Sequence, residues 1–444
     1  MTKKKYQKYM DVFNGSTYFY GLGIENEAYL TLDKFTSVTN EEIKSLFETQ
    51  EWKKNHKMKV NNIDHLLNAS DKYNIPIIIN YYFIKQTTLW QLLQKNNEFK
   101  NMYKKSFTID VDLFEFITQN FYKTTVKECI NELNLIKKNF IKIVKNILKD
   151  KNIIKELDPT IKILDFNYGI AKNLFINNIS TLNNGSYHIN LTLPVKLNDD
   201  GNIIDVNKFI SEHMNAIRAI QWLEPLLIIY YSSPDIFSIC SDKHSKCSSR
   251  LARSKFISVG TYDTDIKQIG KRYRIFKPNK YPNFWFNEYH EMSNYITRKI
   301  IGHDINFNNY KNHGMEIRFF DSFPEIYLED VINIIILICQ HSLEHKISNS
   351  IKNNIWNTQV KNCMIYGHNT IFDKNYLNCI EKEFNINLES TSENILQCVS
   401  DKLYDKYHKK EFVQLISPNM KKPQVVNFNE HMTNLNKKLL KIKN

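Results

Sequence analysis

Residues 18–32 read YFYGLGIENEAYLTL. Side chains alternate between the two faces of a β-strand. A strand here puts Gly23, Glu25, Glu27 and Tyr29 on one face. Ile24, Ala28 and Leu30 fall on the other, with Asn26 as the polar exception. Alone, a Glu-x-Glu on a strand is more often a solvated edge than a site. The same design recurs twice, however. Residues 187–194 set His188, Asn190 and Thr192 against Ile189, Leu191 and Leu193. Residues 315–320 set Glu316, Arg318 and Phe320 against Met315, Ile317 and Phe319. If the three strands pair in one sheet, three carboxylates, an imidazole, an amide and a guanidinium share one face.

Three crowded carboxylates repel one another unless cations neutralise them. Carboxylates with a single imidazole suit Mg²⁺ or Mn²⁺ bound beside a phosphate, because these ions prefer oxygen and tolerate some nitrogen. An arginine next to them is what a transferring phosphoryl group requires. Taken singly, a strand histidine is usually a satisfied core or surface residue, and Glu-x-Arg is often a cross-strand ion pair. The coincidence of three such strands in one chain favours a site.

Working outward, residues 40–160 are mostly helical in pattern. They end in a helix over about 124–157, where Ile130, Leu133, Ile136, Phe140, Val144 and Ile147 recur at three- and four-residue steps. A buried helix is expected at 205–232, with a break at Pro225, and another at about 327–345, just after Pro324. Residues 238–285 are irregular and rich in Arg, Ser, Gly and Tyr, as suits an active-site loop region. The fold class is α+β: a curved, mainly antiparallel sheet flanked by helices. A catalytic domain is expected over 15–347 with a helical insertion around 40–160, followed by a helical C-terminal appendage over 348–444.

Composition narrows the classes further. The 444 residues are 42% hydrophobic and 13% aromatic, enough for a core and too much for a disordered chain. The apolar run Val331–Cys339 is nine residues with Asn333 inside it, short of the roughly 20 a membrane span needs. No apolar stretch follows the basic Met1–Met10, so no signal peptide is expected. Seven scattered cysteines without a CxxC suggest reduced thiols in a cytosol-like compartment. The net charge of +13 raises nucleic acid as a partner, but lysine is spread over the whole chain, and no nucleic-acid motif occurs. Arginine behaves differently. All seven, at 218, 250, 253, 272, 274, 298 and 318, fall within one quarter of the chain. Such economy fits a need for planar, bidentate recognition of carboxylate or phosphate. Chance in an AT-rich genome is the plain alternative.

The three strands resemble blocks of the glutamine synthetase and glutamate–cysteine ligase superfamily of ATP-dependent carboxylate–amine ligases. Gly23-Ile24-Glu25-Asn26-Glu27-Ala28-Tyr29-Leu30 is similar to that family's G-x-E-x-E-[FY]-x-L strand, whose two glutamates bind different metal ions. Gly185-Ser186-Tyr187-His188-Ile189-Asn190 resembles G-S-G-M-H-x-[HN], whose first histidine is a metal ligand and whose next polar residue lies near the nucleotide phosphates. Glu316-Ile317-Arg318-Phe319-Phe320-Asp321, followed by Tyr327-Leu328, resembles E-x-R-x-x-D…Y-L, with a metal-binding Glu and an Arg on the reacting phosphoryl group. Arg250, Arg272 and Arg274 fall where the family keeps substrate- and phosphate-binding arginines.

The resemblance implies an amidoligase acting through an acyl phosphate, with ATP and Mg²⁺ or Mn²⁺. Glu25, Glu27, His188 and Glu316 would be the metal ligands, Asn190, Arg272 and Arg274 would bind the nucleotide, and Arg318, Glu27 and Arg250 would be catalytic. Its partners would be a small-molecule or peptide carboxylate and an amine, with no membrane involved. Two departures stand out. Glutamine synthetases carry further metal-binding glutamates between the first and second blocks, whereas Glu115, Glu128 and Glu132 here fall in helical pattern. Only about twenty residues precede the first block, so a divergent amide or peptide ligase is expected, not a glutamine synthetase. A basic nucleic-acid-binding protein and a catalytically inactive interaction protein of the same fold are the alternatives.

Overall fold

The computed structural model describes residues 18–28, 30–32, 77–78, 83–84, 87–102, 106–110, 113–118, 125–150, 161–163, 185–198, 203–234, 238, 245–248, 250, 261–265, 272–273, 304–307, 314–388 and 394–439. The three strands quoted above are neighbours in one six-stranded sheet. Its members are β1 (Tyr18–Ala28), β2 (Phe107–Asp110), β3 (Leu113–Ile117), β4 (Ser186–Lys196), β5 (Ile305–Phe307) and β6 (Met315–Asp321). Their order is β5-β6-β4-β1-β3-β2, and every pairing is antiparallel. The α+β reading therefore holds at the level of a mixed helical and antiparallel-sheet architecture.

One face of the sheet is apolar. Leu22, Ile24, Phe114, Phe116, Ile189, Leu191, Met315 and Ile317 are all buried, and each contributes about 2 kcal/mol by leaving water. Helix α1 (Val126–Asp150) covers one end of this face, where the Phe140 ring packs within 4.8–5.2 Å of Phe107, Phe114 and Phe116. Helices α2 (Val206–Tyr230) and α3 (Leu328–Glu344) complete the core. The 20-residue stretch Glu325–Glu344 is, by length and composition, apolar enough to cross a membrane, with a mean hydropathy of 1.4. Of its most apolar 18-residue window, 72% is buried inside the protein, as in a core helix.

Two register shifts shape the sheet. On β4, Leu193 and Pro194 together face Tyr20. A bulge is where a strand tolerates a proline, since no ladder bond is asked of it. The Leu193 N–H is instead taken by His213 of α2 at 3.0 Å. On β6, Arg318 and Phe319 together face His188. This second bulge corrects the alternation expected for 315–320. Phe320 pairs with Tyr187 on the apolar face, and Asp321 pairs with Ser186 on the polar one.

Helix α2 continues through Pro225 without the expected break. Proline has no N–H for the carbonyl of Gln221, four residues back. That carbonyl accepts the indole N–H of Trp356 at 2.7 Å instead. Trp356 belongs to α4 (Asn354–Tyr366), the first of five α-helices C-terminal to α3 among the described residues. The others are α5 (Lys374–Phe384), α6 (Ile395–Tyr407), α7 (Glu411–Ile416) and α8 (Phe428–Leu439). Tyr376 of α5 donates to the Trp222 carbonyl at 2.8 Å, and His341 of α3 meets the Tyr407 hydroxyl at 2.8 Å. The helices of 348–444 thus share a core with α2 and α3.

Residues 40–160, expected as a helical insertion, also supply β2 and β3. Phe114 and Phe116 are buried while Glu115 and Ile117 are half-buried, an alternation of period two. The helical pattern on either side obscured it. The six described cysteines at 129, 247, 339, 363, 379 and 398 are free thiols.

Candidate metal and anion site

Register arranges the polar face in three cross-strand rows. Asn306, Glu316, Asn190 and Gly23 form the first. His188 and Glu25 oppose each other in the second, with the bulged Arg318 beside His188. Asp321, Ser186, Glu27 and Glu115 form the third. Cross-strand partners stand about 5 Å apart at Cβ, so side chains within and between rows meet.

His188 lies at the centre and is buried. Its Nδ1 is 2.9 Å from Glu25 Oε2 and 3.4 Å from Glu316 Oε1. Its Nε2 is 3.2 Å from Ser186 Oγ and 3.7 Å from Glu27 Oε1. The ring thereby divides the acidic groups, with Glu25 and Glu316 at one nitrogen and Glu27 at the other. Glu25, His188 and Glu316 each offer a ligand atom, and these atoms all lie within 4.8 Å of one another. Ser186 donates to Glu27 Oε2 at 2.7 Å, and Arg250 Nη2 donates to the same oxygen. Glu316 accepts from Arg318 Nη1 and, at 2.9 Å, from Asn306 Nδ2.

Crowding has an electrostatic signature. Burial pushes the Glu25 carboxyl well above the usual carboxylate range, and the charges of Glu316, Glu115 and Glu27 add to the shift while Arg318 opposes it. Burial also pulls the Arg318 guanidinium down. The charges of Glu316, Glu27 and Glu25 outweigh that, so its pKa stands above the ordinary arginine value. Among the described residues, Asn190 Nδ2, Arg250 Nε and Nη1, and Arg318 Nε are buried donors without an acceptor. Asn190 is 6% exposed and Arg250 is 2% exposed. Leaving such donors unmade costs about 1–3 kcal/mol each. Oxygen-rich ligands around one imidazole, flanked by donors lacking an anion, fit a divalent cation held beside a phosphate or carboxylate.

Of the residues singled out from the sequence, Glu25, Glu27, His188, Asn190, Arg250, Glu316 and Arg318 come together here. Arg272 lies in a two-residue strand paired with Thr261–Tyr262. Arg274 lies outside the described residues, as does the Tyr29 side chain. Arg218 is engaged elsewhere, donating to Thr264 Oγ1 at 2.7 Å and to Asp265 at 3.2 Å. Three site residues went unread in the sequence. Glu115 is on β3, directly opposite Glu27, and not on a helix. The apolar–polar alternation of residues 113–117 was the available signal. Asn306 and the role of Ser186 emerge only from strand pairing.

A protein described as uncharacterized protein R704, from Acanthamoeba polyphaga mimivirus, is 35% identical to this chain over 471 residues. The alignment covers 97% of the chain and 82% of the viral protein. The chain belongs to the same family as R704. R704 brings no activity with its name. No family model matches the chain. A solved bifunctional glutathione synthetase from Pasteurella multocida is similar over 98% of the chain, with 9% identity and a TM-score of 0.43. The chain spans about half of that protein's length, 51%. A likeness at that level carries no argument about fold or activity.

Proposed function

We propose that this chain is an ATP-dependent carboxylate–amine ligase that forms an amide or peptide-like bond. One observation carries the reading. Glu25, His188 and Glu316 bring their ligand atoms within 4.8 Å of one another, on a face that also holds Glu27, Arg250 and Arg318. All but Arg250 lie on β1, β4 and β6, which carry the three sequence blocks that resemble the glutamine synthetase and glutamate–cysteine ligase superfamily. Glu115 adds a carboxylate between the first and second blocks, where that superfamily carries further metal-binding glutamates. This weakens the motive for reading the chain as a catalytically inactive relative.

In this reading Glu25, His188 and Glu316 would hold one divalent cation, and Glu27 with Glu115 a second. Bound Mg²⁺ or Mn²⁺ supplies positive charge that neutralises the ATP phosphates. The protein's own groups do the rest. Arg318 uses Nη1 to hold Glu316 and has Nε left to donate to the moving phosphoryl group. Arg250 is pinned to Glu27 through Nη2, with Nε and Nη1 left for a carboxylate or phosphate oxygen. Asn190 Nδ2 is a neutral donor for the same anion. A substrate carboxylate oxygen attacks the γ-phosphorus, the bond to ADP breaks, and an acyl phosphate forms. An amine nitrogen then attacks the acyl carbon, inorganic phosphate leaves and the nitrogen loses a proton.

Hydroxylamine tests this without knowledge of the natural amine, because it traps an acyl phosphate as a hydroxamate. With ATP, Mg²⁺ and a panel of amino acids and dicarboxylates, hydroxamate and ADP are expected in equal amounts. Both should vanish without Mg²⁺ and in Glu25→Gln. Equal ATP affinity with and without Mg²⁺, and no ADP with any carboxylate, would contradict the reading.

A further inference from the structure

Resting on that metal-site reading, we propose that Ser186 is a positioning residue. It fixes the tautomer of His188 and so decides which ring nitrogen faces the acidic site. Ser186 is fully buried on β4. Its Oγ stands 2.7 Å from Glu27 Oε2 and 3.2 Å from His188 Nε2. A carboxylate only accepts, and a hydroxyl has a single hydrogen. Glu27 Oε2 already accepts from Arg250 Nη2, which holds that oxygen in its accepting role. The Ser186 hydrogen therefore goes to Glu27, and what Oγ turns towards Nε2 is a lone pair. That contact is a hydrogen bond only if Nε2 carries the proton.

The consequence lies on the other side of the ring. A neutral imidazole protonated at Nε2 has its lone pair at Nδ1. Nδ1 is the nitrogen 2.9 Å from Glu25 and 3.4 Å from Glu316. Glu25 Oε2, Glu316 Oε1 and a ring lone pair then converge, with Arg318 already donating to Glu316 Oε1, and a divalent cation between the three would satisfy all of them. The hydrogen-bond chain runs from His188 through Ser186 to Glu27, with Arg250 anchoring the far end. It delivers a ligating nitrogen to Glu25 and Glu316.

The backbone holds this chain in place. Ser186 and His188 are two apart on one strand and so share a face. Glu27 is the register partner of Ser186. Gly185 permits the close approach, because a Cβ there would meet Ser322 Oγ at 2.5 Å and the Glu27 carbonyl at 3.0 Å.

Tautomer and affinity are both measurable. The full-length protein, labelled with ¹⁵N at histidine and loaded with Mg²⁺, is read by long-range ¹H–¹⁵N correlation, with His188 assigned by its loss in His188→Gln. The wild type should show a protonated Nε2 and an unprotonated Nδ1. Ser186→Ala should mix the tautomers and weaken Mn²⁺ binding, titrated without nucleotide, by about 10–100-fold, the usual effect of losing a partner of a ligating histidine. Ser186→Thr, which keeps the hydroxyl, should restore both. A wild type that binds Mn²⁺ with Nδ1 protonated overturns the positioning role alone. So does a Ser186→Ala variant with unchanged tautomer and Mn²⁺ affinity. If that variant does not fold, the wild-type spectrum decides by itself. Protonated Nε2 in a wild type that binds no Mn²⁺ overturns the metal-site reading, and the positioning role with it. A protein that meets both expectations yet never turns over ATP would end the ligase reading and leave the role of Ser186 standing.

Discussion

Trp356 and Gln221 are joined by a 2.7 Å hydrogen bond from the indole N–H to a helix carbonyl that Pro225 leaves without its usual partner. The bond explains how a proline sits inside a buried 25-residue helix, and how the C-terminal helices dock at that point. Trp356→Phe keeps most of the ring and removes the donor. The variant should lose about 1–3 kcal/mol, the cost of an unsatisfied buried carbonyl, read as a lower urea midpoint at unchanged slope. A loss under about 0.5 kcal/mol would show that α2 does not depend on this contact.

His213 predicts an acid weakness. Its Nδ1–H donates to the Phe209 carbonyl at 2.7 Å, and its Nε2 accepts the Leu193 N–H at 3.0 Å. Burial pulls its pKa from 6.5 down to about 4. As pH falls below 6.5, the unfolded chain takes up a proton that the folded chain refuses until near pH 4. Stability is therefore lost across that window, by about 2 kcal/mol between pH 7 and pH 5. His213→Gln lacks the titration. The stability difference between wild type and this variant should narrow by that amount over the same range in urea melts. A difference independent of pH would contradict the assignment.

Gly185→Ala probes the close approach of β4 to β1. The added methyl meets Ser322 Oγ at 2.5 Å and a backbone oxygen at 3.0 Å, so the Ser322 side chain must turn away and the strand must give by a few tenths of an ångström. Overpacking of this kind costs about 1–3 kcal/mol. Thermal melts should show that loss, together with weaker Mn²⁺ binding because Ser186 moves with its neighbour. Wild-type values for both would mean the site tolerates a looser strand.

What the sequence disclosed and what it hid have physical causes. The strands bearing Glu25, Glu27, His188 and Glu316 were legible because one face packs apolar side chains into the core while the other gathers polar groups, and alternation of period two follows. Glu115 was hidden because β3 is five residues long and sits among helical patterns. Phe320 was assigned to the polar face because alternation was carried through a bulge, and only pairing reveals that Arg318 and Phe319 share one partner. The continuity of α2 through Pro225 depends on Trp356, 131 residues further on, and no local rule supplies a donor from that distance.

Arg318 separates charge from geometry. Its Nη1 holds Glu316 while its Nε has no acceptor among the described residues. Arg318→Lys keeps the charge and loses the fork. Turnover should fall about 10²–10³-fold, nearly as far as in Arg318→Ala, with the loss in kcat and little change in the KM for ATP. Near-normal turnover in the lysine variant would reduce Arg318 to a partner of Glu316.

The most direct measurement is anomalous diffraction from crystals soaked in Mn²⁺. A peak is expected about 2 Å from a carboxylate oxygen of Glu25, a carboxylate oxygen of Glu316 and His188 Nδ1. Arg318 should remain beside it, and the peak should be absent from Glu25→Gln crystals. Mn²⁺ elsewhere in the protein, with none between Glu25, His188 and Glu316, would contradict the account at its centre.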